Sequence, residues 1–354
     1  MADKNKIMEA LGTVYDPELR RPLTELDMVK SVDIDGAKVK IEVTLTVPGC
    51  PLKKTISDDV ASKVGALEGV DSVEVTFGVM TDEQRKNIAQ KLYGKDHKAV
   101  NEGANVAGDI AKRVIAVSSG KGGVGKSTVT ANLASALKRL GFKVGILDAD
   151  VYGFSIPRIM GVEGKPVIID DHIVPLQRDG IQIMSMGFFI DEDQPVVWRG
   201  PMLHKAITQF ISDVYWDQLD YLLIDLPPGT GDVSITISQA LPKAEILVVT
   251  TPQPVASHTA GRVAKMAEKT KLSVLGVVEN MSYYEVNGTR DYIFGQGGGK
   301  RLAETLGVAF FGEIPIRTEI REGADIGAPV ALNEDSASAD YYLSIAKKLV
   351  ETAA

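Results

Sequence analysis

Gly120-Lys121-Gly122-Gly123-Val124-Gly125-Lys126-Ser127-Thr128 satisfies the pattern G-x-x-x-x-G-K-[ST] and carries one lysine more than the pattern needs. Before it, Arg113-Val-Ile-Ala-Val-Ser-Ser119 reads as a short apolar strand. After it, Val129, Leu133, Ala136, Leu137 and Leu140 recur at helical spacing over Lys126 to Leu140. A glycine-rich loop between a strand and a helix is built to hold phosphate. Its backbone can wrap an anion, the N–H groups at the helix start point at it, and the helix dipole favours negative charge there. Gly120 through Thr128 are therefore the candidate nucleotide-binding residues, with Lys126 reaching the β- and γ-phosphates of ATP and the Ser127 hydroxyl ligating Mg²⁺. Lys121 cannot duplicate Lys126. Either it is a solvated loop lysine, or it reaches the phosphates of a nucleotide bound by a second subunit, where a cation supplied in trans stabilises charge on the transferred phosphoryl group.

Downstream of the loop, apolar runs at 143–148, 181–185, 220–225, 245–250 and 273–278 alternate with helical stretches. Continuous apolar runs belong to strands covered on both faces. The pattern over 111–354 therefore predicts an α/β P-loop NTPase fold with a mainly parallel sheet flanked by helices, whose ligands bind at the carboxyl ends of the strands. Two such ends are acidic: Asp148-Ala149-Asp150, and Asp225-Leu-Pro-Pro-Gly-Thr-Gly-Asp232. Taken singly, these aspartates read as helix caps or turns. Beside a phosphate loop, Asp225 fits the residue that holds hydrated magnesium, Asp150 the one that orients the attacking water, and Asp148 a support of the metal shell. Gly229 or Gly231 is placed to offer a backbone N–H to the γ-phosphate and to release with it. Asn280, after the strand at 273–278, either pairs with the adenine edge or makes an Asx turn.

Residues 1–95 follow another pattern. Lys4 to Val14 and Leu52 to Leu67 read as helices, Lys38 to Thr46 and Asp71 to Phe77 as alternating strands, so a small α+β domain is predicted. The polar, glycine-rich stretch 96–110 lacks an apolar stripe and reads as a linker.

The 354 residues are 44 % hydrophobic and 24 % charged, ordinary for a soluble globular chain. No apolar run approaches the roughly eighteen residues of a membrane span, and the first residues are too polar for a secretory signal, so a cytoplasmic location is expected. A net charge of −8 without a long basic run argues against broad binding to nucleic acid or anionic membrane. The apolar positions Tyr342, Ile345, Ala346 and Leu349 in segment 338–350 read as a core face rather than a lipid anchor. The single cysteine, Cys50, excludes an intrachain disulfide and any several-cysteine metal site within one chain.

Together these pieces resemble the Mrp/ApbC branch of the MinD/ParA superfamily of deviant-Walker ATPases over nearly all of 111–354. The resemblance is carried by 120–128, Asp-Ala-Asp-Val-Tyr-Gly-Phe-Ser-Ile-Pro at 148–157, Arg-Gly-Pro-Met at 199–202 and Asp-Leu-Pro-Pro-Gly-Thr-Gly-Asp at 225–232. It continues in Thr-Thr-Pro-Gln at 250–253, Glu-Asn-Met-Ser at 279–282 and Ile-Phe-Gly-Gln-Gly-Gly-Gly at 293–299. Asp16-Pro17-Glu18 and Pro48-Gly49-Cys50-Pro51 look like the two signatures of the SufT-like domain often fused to these ATPases. The resemblance implies ATP hydrolysis in iron-sulfur cluster assembly or transfer, a homodimer with Lys121 reaching across, client or assembly proteins as partners, Asp150 as a catalytic residue and Asn280 as an adenine contact. One departure stands out. The branch usually carries a Cys-x-x-Cys pair after the Asn-Met-Ser segment, so that two subunits bridge one [4Fe-4S] cluster; here residues 283–294 contain no cysteine.

Two readings of the role follow, a cluster carrier with other ligands and a nucleotide-switched scaffold without a cluster. A partitioning or positioning ATPase is a third, which the acidic surface does not favour. Cys50, between a glycine and a proline before a predicted helix, is either a low-pKa thiolate for iron or a client, or an unreactive cysteine.

Overall fold

The computed structural model describes residues 3–16, 21–45, 53–81, 84, 87–88, 110–151, 153–169, 172–189, 200–229, 231–253, 262 and 265–352. Its elements run α1 (Lys4–Leu11), β1 (Val29–Asp35), β2 (Lys38–Leu45), α2 (Lys53–Gly65), β3 (Ser72–Val79), β4 (Ala111–Ser118), α3 (Lys126–Arg139), β5 (Val144–Asp148), α4 (Ile156–Met160), β6 (Val167–Ile169), β7 (His172–Val174), β8 (Leu176–Arg178) and β9 (Ile181–Ser185). They continue with α5 (Gly200–Ser212), β10 (Leu219–Asp225), α6 (Asp232–Ala240), β11 (Glu245–Thr250), β12 (Ser273–Val286), β13 (Thr289–Asp291), α7 (Gly298–Leu306), β14 (Ala309–Ile316), α8 (Thr318–Asp325) and α9 (Ala339–Glu351). By internal contacts the chain divides into two units: Met1–Lys98 with Pro166–Val174, and Ala99–Lys165 with Pro175–Ala354.

In the first unit, β2 lies between antiparallel β1 and parallel β3. Alternation along β2 buries Val39, Ile41 and Val43, and α2 buries Ile56, Val60 and Val64, four residues apart on one face. α1 starts where the Asp3 side chain accepts the Asn5 N–H at 2.9 Å, which satisfies one otherwise unpaired helix donor. Strand β1 was not anticipated. Its sequence, Val-Lys-Ser-Val-Asp-Ile-Asp, buries only Val32 and carries charges along an edge, and it is held by pairing with β2 rather than by an apolar pattern.

The second unit is built on one sheet of order β13-β12-β11-β4-β10-β5-β9-β8, with β14 beside β12. From β9 across to β12 and β14 every pairing is parallel, and only β8 and β13 run antiparallel. The mainly parallel sheet predicted from the apolar runs is thus present. Its center, β4, has β10 on one side and β11 on the other, so the chain leaves it in both directions and opens a crevice at its carboxyl end. Helix α3 leaves from that point and is buried from Val129 through Leu137. Ala131, Ala134, Ser135 and Ala136 keep it slim enough to be covered on nearly all sides. Helix α9 buries Ala339, Tyr342, Ile345, Ala346 and Leu349, the stripe read as a core face. Among the described residues no helix is long and apolar enough to cross a membrane.

Candidate functional site

The loop after β4 turns on Gly123 and Gly125, at φ of 77° and 78°, a backbone region that side chains rarely enter. Gly125 precedes the first turn of α3, and an added Cβ there would overlap the Asn280 amide nitrogen. The loop therefore closes against β12 as well as opening toward a ligand. Asn280 Nδ2 donates to the Val124 carbonyl at 2.8 Å, and Met281, at φ 56°, bends the strand so that it passes close to the loop. In this state the Asn280 amide is committed to the phosphate loop.

Lys126 is only 6 % exposed, and its ammonium is neutralised within the site. Nζ lies 2.7 Å from Asp225 Oδ2 and 3.7 Å from Asp150 Oδ2. Ser127 Oγ donates to Asp225 Oδ2 at 2.6 Å, and Thr130 Oγ1, one helical turn after Lys126, lies 2.9 Å from Asp225 Oδ1. Asp225 is itself wholly buried. A carboxylate there is tolerable because an ammonium and two hydroxyls surround it. Hydroxyl and carboxylate oxygens are hard donors, and their convergence fits a divalent cation such as Mg²⁺, which keeps most of its waters and takes few protein ligands. Among the described residues no three or more His, Cys, Asp or Glu side chains group around a metal position.

Register brings the acidic residues together. Asp225 pairs across the sheet with Asp148, and Asp148 with Ser185, at the carboxyl ends of three adjacent strands. The sequence reading put Asp148 in the metal shell. In this structure its carboxylate binds its own loop: Oδ1 accepts the Asp150 N–H at 3.2 Å, and Oδ2 accepts the Ile156 N–H at 3.3 Å and the Ser185 hydroxyl at 3.0 Å. Burial, and then the Asp225 charge, push the Asp148 carboxyl up to about 8, against the opposing pull of Lys126 and these hydrogen bonds.

Lys121 stands apart, exposed, with Nζ donating to Gln253 Oε1, and Arg262 Nη1 donates to the Gly120 carbonyl at 3.0 Å. The Gly229 N–H, a candidate for the γ-phosphate, here donates to Ser119 O at 3.0 Å. Gly231 precedes α6. Cys50, Pro17, Glu18 and Thr230 lie outside the described residues, as do 96–109 of the proposed linker. In place of the expected cysteine pair, β12 and β13 form a hairpin with the Arg290 guanidinium 4.2 Å from the center of the Tyr283 ring.

Sequence reasoning missed Thr130, Ser185, Gln253 and Arg262. Thr130 had a signal, one turn from Lys126 on the same face, and so did Ser185, a polar residue at a strand's carboxyl end. Gln253 and Arg262 reach the loop through tertiary contacts that spacing does not encode.

A family profile described as NUBPL iron-transfer P-loop NTPase matches residues 110–350. The chain belongs to this family. A second profile, described as iron-sulfur cluster assembly protein, matches residues 4–77 of the same NTPase. A relative named iron-sulfur cluster carrier protein, from Mycobacterium leprae, is 45 % identical over 98 % of this chain and 92 % of its own length. Among solved structures, a nucleotide-binding protein in complex with ADP from Archaeoglobus fulgidus is 38 % identical at a TM-score of 0.58, covering 74 % of this chain and 97 % of that one. The cell division ATPase MinD of Pyrococcus furiosus is 26 % identical at a TM-score of 0.51, covering 68 % of this chain and 99 % of that one. The NTPase thus has a MinD/ParA-like fold with a small additional N-terminal unit.

Proposed function

We propose that this NTPase hydrolyses ATP with Mg²⁺ and uses the cycle in iron-sulfur cluster assembly or transfer, as a homodimer. The observation that carries the reading is the convergence of Lys126, Ser127 and Thr130 on Asp225 beside the phosphate loop, with Asp150 facing Lys126 from the other side. Lys126 moves from Asp225 to the β- and γ-phosphates, and Asp150, close to Lys126, orients the attacking water. Ser127 directly and Asp225 through water would hold the cation, which when bound would supply charge neutralisation at the phosphates. The ADP held by the Archaeoglobus protein supports nucleotide binding by this chain. Lys121 acts across a dimer. Gln253 keeps it off its own nucleotide in the single chain, and it is released when a second subunit approaches. Asn280 leaves Val124 to contact the adenine edge, Asp148 supports the Asp150 loop, and 96–110 tethers a small domain of residues 1–95.

The test is ATP turnover by the full chain with and without Mg²⁺. Metal-dependent release of phosphate that is lost in Lys126→Ala supports the reading, and equal turnover by that variant overturns it. A second reading, a nucleotide-switched scaffold without a cluster of its own, is favoured by the absence of cysteine from residues 283–294. Anaerobic incubation with iron and sulfide separates the two. Stoichiometric, oxygen-sensitive visible absorbance supports a carrier, and its absence a scaffold.

A further inference from the structure

We propose that Ser185, the last residue of β9, and Gly187, just beyond it, are positioning residues that hold the Asp150 loop in the shape hydrolysis requires. The idea rests on the ATPase reading above. The stretch between β5 and α4 carries Asp150, and both its ends hang on one side chain, because Asp148 accepts the N–H of Asp150 and the N–H of Ile156, the first residue of α4. That carboxylate is fixed in turn by the Ser185 hydroxyl, its cross-strand neighbour, and both side chains are wholly buried. Ser185 Oγ also accepts the Gly187 N–H at 3.1 Å. The bonds therefore run in series from Gly187 N–H to Ser185 Oγ to Asp148, an arrangement in which each bond polarises the next.

The same segment grips the loop from a second side. A Cβ on Gly187 would fall 2.5 Å from Cδ2 of the Phe154 ring, so the ring lies against bare backbone that only glycine leaves free. Phe154 is itself part of the stretch between β5 and α4. One short run, Ser185-Met186-Gly187, thus braces the loop through a buried carboxylate and through an aromatic ring. A residue that orients water must hold its oxygen to within a fraction of an ångström, which a loop hung only on its own backbone does not do.

The test uses the full chain and two independent readouts. In Ser185→Ala, amide exchange of the 149–156 peptide without nucleotide should quicken about three- to tenfold, with other strand-end peptides unchanged. Its kcat should fall about tenfold while KM for ATP stays within about twofold, since positioning rather than binding is lost. Ser185→Thr keeps the hydroxyl and should recover both quantities toward the parent. Phe154→Leu removes the ring without touching the hydrogen bonds and should loosen the same peptide, which keeps the idea testable if Ser185→Ala does not fold. Unchanged exchange at 149–156 in both variants, or a Ser185→Ala defect confined to KM, overturns the proposal. If the parent hydrolyses no ATP, the functional reading fails, and the exchange measurement still decides whether these residues brace the loop.

Discussion

Lys126 sets the charge balance of the site. Its buried ammonium has Asp225 and Asp150 as partners, so the positive charge is compensated, and one ammonium facing two carboxylates leaves a net negative charge in the sheet crevice. Lys126→Ala should lower nucleotide affinity by at least about a hundredfold, measured by calorimetry with Mg²⁺, and should cost the empty protein about 3 kcal/mol in urea unfolding because Asp225 loses its counter-charge. Asp148 gives a pH signature. With its carboxyl at about 8 in the folded chain against 3.8 when unfolded, the folded state holds the extra proton between those values. Its contribution to stability therefore falls as pH rises from about 4 to about 8 and is level outside that window. Urea midpoints of the nucleotide-free chain at about pH 5 and about pH 8 should differ less in Asp148→Asn than in the parent. At this scale the sequence revealed which residues are acidic or cationic at strand ends. The direction Asp148 faces was hidden, because it depends on Ser185 and the Ile156 N–H, which only register and loop geometry bring to it.

Strand ends and helix starts carry the site, and they were largely readable. The runs 181–185, 220–225 and 245–250 correspond to β9, β10 and β11, because strands covered on both faces must be apolar throughout. Partly exposed pieces were harder: β1, β8 and β13 sit at edges, where charge replaces the apolar pattern. So was the length of β12, read as ending at residue 278 but running to Val286, through the bend at Met281. That bend lays Asn280 on the phosphate loop and yields a prediction for the element pair. Asn280→Ala removes one buried bond to Val124 and should destabilise the nucleotide-free chain by about 1 kcal/mol. Gly125→Ala meets the same amide and a positive φ together, and should cost about 2 kcal/mol or more along with nucleotide binding, as checked by thermal unfolding and titration.

On the scale of the whole molecule, one chain brings Lys126, Ser127, Asp150 and Asp225 together but keeps Lys121 apart from them, on Gln253. If a second copy supplies that lysine, turnover per chain should rise with protein concentration until dimers saturate. Lys121→Ala should bind ATP within about twofold of the parent and yet turn over about a hundredfold more slowly at every concentration. Iron loading would need ligands other than a cysteine pair in 283–294, so Cys50→Ser should abolish any cluster that reconstitution produces and leave ATP turnover unchanged. Composition exposed this limit at once, since a chain with a single thiol cannot supply four.

The pairing of Lys126 with Asp225 also makes the phosphate loop selective by exchange. An incoming anion must evict a carboxylate before it gains the lysine, and the evicted carboxylate is then stranded unless a cation arrives with the guest. Sulfate or free phosphate brings none and should compete poorly. Nucleotide and magnesium, each relieving the vacancy the other creates, should bind with strong mutual cooperativity.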